Sequence, residues 1–164
     1  MLVEVLKKLR RWKTLHKLNA MSALFPNIMT ANIHTHTLSF EIICLVEIEK
    51  VEVFLADNGS TLRLTADATV EIDYSDEKLW ELADKICESV EYFLQDEMRL
   101  FGPASAIFPL RVAYKVLSKD FEGNQDRIRR CQGLIGRVRE RGISAIPHFP
   151  AGFLGKRSSE TFPE

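Results

Sequence analysis

The chain has 164 residues, 46% of them hydrophobic and 27% charged. That is enough for one domain with a single substantial core and too little for two of ordinary size. The balance excludes a chain disordered throughout, and a net charge of −1 excludes a global attraction to nucleic acid or an anionic membrane.

Residues 1–20 carry six Lys/Arg against Glu4 and read as a basic amphipathic helix. Leu2, Val5, Leu6, Leu9 and Trp12 share one face, and Leu15 and Leu18 continue the stripe as it winds round. Four roles compete for it: a membrane-surface helix, a calmodulin-like target, a nuclear import signal in KKLRRWK, and a plain domain helix whose basic side meets water or the acidic segment. The apolar-then-basic order is the reverse of a secretory signal, and no apolar run reaches the roughly 18 residues that span a bilayer.

Pro26 disfavours helix at Phe25 and breaks the pattern. Residues 31–55 are rich in Thr, Val, Ile and Phe, which suits strands. They run without Gly or Pro, too long for one ordinary strand, and Ile42, Leu45, Val46, Glu49 and Val53 keep helical spacing. On the residues alone, a long helix and a strand pair both stand. Asp57-Asn58-Gly59-Ser60 reads as a turn, and 56–74 as a loop in which Thr61–Tyr74 alternates weakly enough for a short hairpin.

A helix over about 76–100 follows. Ser75 is its N-cap, Asp76 and Glu77 sit in the first turn, and Leu79, Ala83, Ile86, Cys87, Val90, Phe93 and Leu94 form its apolar face. Gly102 in a left-handed conformation and Pro103 are expected to end it. Phe108, Val112, Val116 and Leu117 start the stripe of a helix over about 104–119, which either begins at Pro109 or kinks there. Asn124 is expected to cap the last helix, 125–141. Its core side is Ile128, Cys131, Leu134, Ile135 and Val138, and Gly142 supplies the stop. The predicted fold is all-α, antiparallel helices joined by short loops over 1–145, with a disordered tail at 146–164 that is rich in Pro and Gly.

Charge is segregated. Residues 67–97 hold eleven Asp/Glu against Lys78 and Lys85, and 98–141 hold ten Lys/Arg against four acids. An acidic helix beside basic ones implies neighbours in one fold whose charges are paired or solvated. Cys44, Cys87 and Cys131 have no zinc or redox spacing; the expectation is buried reduced thiols in a reducing, intracellular compartment. His34 and His36, two apart on a helix, point to different faces and would chelate a metal only on a strand. His16 and His148 lack an obvious partner. Gly133 and Gly136 read as small residues for close helix packing, and Arg130, Arg137 and Arg141 as a solvated or paired flank. No GxSxG, P-loop, GxGxxG or HExxH occurs. The chain is read as non-enzymatic, with no catalytic, cofactor or metal residue assigned.

The run Ile86-Cys87-x-Ser89-Val90-x-Tyr92-Phe93-Leu94, then Phe101-Gly102-Pro103-x-Ser105-Ala106-x-Phe108-Pro109-Leu110-Arg111-Val112-Ala113, resembles the C-terminal part of the regulatory region of fungal binuclear zinc-cluster transcription factors. The resemblance covers about 31–147 and is strongest over 79–142. It implies a long helix over 31–55, the expectation adopted for that segment with the strand pair as the alternative, within a helical region of a domain that usually extends upstream and acts in the nucleus in transcription regulation. Its partners would be proteins of the transcription machinery or a twin subunit, with a small effector held between helices as a further option. The six-cysteine module of that family is absent from this sequence, so zinc-dependent DNA binding does not carry over. The alternative is a stand-alone helical adaptor that binds a protein or an anionic membrane surface through residues 1–20.

Overall fold

The computed structural model describes residues 2–15, 28–58, 72–98, 101–141 and 143. Every regular element among them is helical: α1 (Leu2–Leu15), α2 (Ile28–Asp57), α3 (Asp76–Phe93), α4 (Phe101–Leu117) and α5 (Gln125–Glu140). Short 3-10 turns occupy Asp96–Met98 and Ser118–Asp120. The fold is all-α, and no strand pair forms in the described part of 31–55. The tail at 146–164, residues 16–20, Gly142 and most of the 56–74 loop with its hairpin alternative lie outside the described residues.

The direction of each helix follows from side-chain links. His36 stacks on Phe108 with ring centroids 5.6 Å apart, and Lys119 reaches Glu49 at 3.1 Å. α2 and α4 therefore run side by side in the same direction. Arg127 bonds Asp84 at 2.9 Å and Arg141 bonds the Leu94 carbonyl at 2.8 Å, so α3 and α5 run parallel to each other. Successive helices from α2 onward are antiparallel, and α1 packs on α2.

α3 forms where its sequence pattern puts it. Ser75 Oγ accepts from the Lys78 N–H at 3.3 Å and satisfies one of the donors orphaned at a helix start. All seven residues of the expected apolar face are buried, and so are all five of α5. Each Leu-sized side chain removed from water in this way contributes about 1.5–3 kcal/mol.

The helix boundaries between them differ from expectation. α3 stops at Phe93, not near residue 100, and Gly102 and Pro103 belong to the first turn of α4. Proline is well placed there, because an N–H at that position would have no partner within the helix. Gly102 is required by packing: a Cβ on it would lie 2.2 Å from the Phe93 carbonyl oxygen and 2.7 Å from Met98 Cβ. The end of α3 and the start of α4 touch through backbone. α4 runs on through Pro109, which lacks the N–H that would bond the Ser105 carbonyl. Asn124 sits at the α5 N-cap without capping it. Its Nδ2 donates to the Asp120 carbonyl and its Oδ1 accepts from Arg127.

α2 is the longest described helix, with 30 residues. Leu38, Ile42, Leu45 and Ile48 form its core side, so Glu49 and Val53 fall outside the expected stripe; Glu49 pairs with Lys119 and Val53 is exposed. Its buried hydroxyls stay satisfied by bonding backward along the helix: Thr35 to the Ala31 carbonyl, Thr37 to Ile33 and Ser39 to Thr35, at 2.7–2.9 Å. In α1 the buried anchor is Leu6, while Val5 faces out; the side chains of Trp12 and Leu15 are outside the described set.

Candidate interaction surface

One face of α2 is bare. Met29, Ile33, Phe40, Ile43 and Phe54 recur at helical spacing along it, and Met29, Phe40 and Phe54 are 55%, 50% and 65% exposed. A buried aromatic typically hides 150–250 Å²; half of that on each exposed ring is costly to leave in water. Beside this face, α4 presents Phe101 and Phe108. Phe108 lies 5.6 Å from both the His36 and Phe40 rings, which joins the two helices into one apolar surface. Together these side chains offer on the order of 500 Å² of exposed apolar area. Scattered surface hydrophobics are normal; a continuous patch of this size is comparable with the largest on an ordinary monomer, and such patches are often functional.

The α3/α5 side is bridged by charge pairs instead. Across α3 and α5, Arg127 joins Asp84 at 2.9 Å, Arg130 joins Glu91 at 2.8 Å, and Arg141 bonds Asp96 and the carbonyls of Leu94 and Gln95. The Arg127 guanidinium also stands 5.8 Å from the Trp80 ring centroid. Glu91 raises the pKa of Arg130 by hydrogen bonding to its charged form. Arg130 and Arg141, expected to be paired or solvated, are thus bound to the acidic helix and its end. On α1, Arg10 Nε donates to the buried Glu41 carboxylate at 3.3 Å, which fastens the basic helix to α2.

The singled-out metal and thiol candidates do not assemble into a centre. His34 is buried, whereas His36 is on the outer face with its Nδ1–H donating to the Asn32 carbonyl at 2.9 Å. Among the described residues no group of three His, Cys, Asp or Glu is placed to hold a metal. His16 and His148 are outside the described residues. All three cysteines are buried and free. A hydrogen bond with Cys87, with burial added, pushes the Cys131 thiol well above its ordinary range, and burial raises Cys44. Such thiols are poor nucleophiles. Gly133 and Gly136 are not packing sites: a Cβ on either would meet nothing within 4 Å. No described helix is long and apolar enough to cross a membrane.

The outer face of α2 carries a signal that a search for a single apolar stripe overlooks. Met29, Ile33, His36, Phe40 and Ile43 follow one another at alternating steps of four and three, on the side away from the core stripe. No protein family, curated protein or solved structure matches the chain.

Proposed function

We propose that this chain is a non-catalytic helical interaction module of transcription control, working through protein contacts made by the α2/α4 outer face. The carrying observation is that exposed apolar surface, which contrasts with the α3/α5 side, where ion pairs bridge the two helices. The link to transcription rests on the resemblance of residues 79–142 to the regulatory region of fungal zinc-cluster factors. Those residues are largely core and turn positions here: Ile86, Cys87, Val90 and Phe93 are buried on α3, and Ala106, Pro109, Leu110 and Ala113 on α4. A role in the nucleus, alongside a DNA-binding module supplied separately, belongs to this reading.

The test is to fuse the full chain to a heterologous DNA-binding module and measure a reporter beside its site. Reporter output should change, and Phe40→Asp should return it to the level of the DNA-binding module alone while the helical circular dichroism stays the same. An inert fusion sinks the transcriptional role. Capture of a partner by an inert fusion would move the chain to an adaptor role, through the α2/α4 face if Phe40→Asp abolishes capture and through residues 1–20 if it does not.

A further inference from the structure

We infer that the partner for the outer face of α2 is the same face of a second copy of this chain, packed antiparallel about a two-fold axis between Phe40 and Ile43. This rests on the reading of that face as an interaction surface and names what covers it. The first support is spacing. From Met29 to Phe54 the outward positions advance by four and three residues without interruption, a repeat of 3.5 that keeps one seam facing a neighbouring helix. Five of the eight positions are apolar, and the other three are His36, Glu47 and Lys50. None of the eight is buried in the single chain.

Charge then selects the direction. In a parallel pair in register, Glu47 would face Glu47 and Lys50 would face Lys50, desolvating like charges. Antiparallel pairing about the seam's midpoint sets Phe40 against Ile43 of the second copy, and Met29 against Phe54. His36 then falls opposite Glu47, which Lys50 of its own helix holds at 2.6 Å, and the Lys50 stem lies along Ile33 while its ammonium keeps that pair at the rim. Each contact occurs twice, as a two-fold interface requires. Area agrees as well. The exposed apolar surface, on the order of 500 Å² per copy, lies just under the ~600 Å² per partner at the lower end of specific interfaces, and the polar rim of His36, Glu47 and Lys50 adds the remainder. Phe108 of α4 borders the seam next to His36 and Phe40 and widens it.

The mass of the full chain in solution, by light scattering and sedimentation at micromolar concentration, tests this. A dimer is expected, and Phe40→Asp should give a monomer with unchanged helical content. His36→Glu should weaken the dimer about tenfold in Kd, a change of about 1.4 kcal/mol, by facing Glu47 with a like charge. Adding Glu47→Lys to that variant should restore it. A monomeric wild type overturns the inference, as does a dimer indifferent to Phe40→Asp, or a double variant no tighter than His36→Glu. If the wild type is monomeric while Phe40→Asp still abolishes reporter output, the second copy is wrong and the interaction face stands. If Phe40→Asp alters neither mass nor reporter, both fall.

Discussion

The two sides of this helical stack solve the same problem in opposite ways. Along α3 and α5, the apolar faces are buried, largely against α4, and arginines bridge the rim between the two helices: Arg127 to Asp84, Arg130 to Glu91, Arg141 to the end of α3. Along α2 and α4, a buried core side is backed by a second apolar side left in water. A helix apolar on most of its circumference belongs inside an assembly. The α3/α5 side is closed by charge pairs among the described residues, while the α2/α4 side leaves in water the apolar surface on which the proposed interaction rests.

The strongest way to break that comparison is to cut the two faces of α2 separately. Leu45→Ala, on the fully buried side, should cost about 2–5 kcal/mol of unfolding free energy through lost burial and a residual cavity. Phe40→Ala, on the outer side, should cost no more than about 0.5 kcal/mol in the single chain, as a surface substitution does. Urea unfolding at high dilution, where a dimer would dissociate, measures both. Similar losses for the two variants would mean that the outer side is already covered within one chain.

A second pair sharpens the contrast at the level of the backbone. Gly102→Ala must push a methyl against the Phe93 carbonyl and Met98 Cβ, so a loss of about 1–3 kcal/mol is expected from overpacking. Gly133→Ala enters open space on a helix and should stabilise by about 0.5–1 kcal/mol, by reducing the freedom of the unfolded chain. Thermal unfolding of the two variants should move in opposite directions. A neutral Gly102→Ala would show that the α3–α4 junction can give way.

The same contrast explains what the sequence made legible. α3 and α5 have one apolar stripe each, with charge around the rest, so the stripe stands out and every expected core residue is buried. α2 was legible as a helix in part: its length without Gly or Pro argues against one strand, and the family resemblance favours a helix over a strand pair. Its inward face was not legible, because apolar residues on several sides cancel the periodic contrast, and spacing alone does not separate exposed Val53 from buried Leu45. The junction at Gly102-Pro103 was misplaced because that pair ends one helix as readily as it begins another. Only the close approach of Phe93 O to Gly102, a tertiary fact, decides between them. The interaction face was legible in part: its 4-3 spacing is in the sequence, but its exposure depends on where α3 and α4 pack.

The smallest effect belongs to the acidic side. Glu81 accepts from Lys78 at 2.8 Å and from Lys85, and these hydrogen bonds hold its carboxyl at about 2, against an ordinary 4.5. The folded-state value is depressed, so the pairs stabilise the fold above about pH 4.5 and lose that contribution as pH falls through about 2. Because the Glu81 side chain is 48% exposed, solvent screening keeps the gain small, about 0.3–0.5 kcal/mol for a pair spaced along a helix. Glu81→Gln should therefore be less stable than wild type by a few tenths of a kcal/mol at neutral pH. That difference should shrink between pH 4.5 and 2, and shrink also in high salt at neutral pH. A difference that persists at pH 2 would trace the loss to packing of the Glu81 stem instead of its charge, and the acidic face would then contribute to the fold as apolar cover.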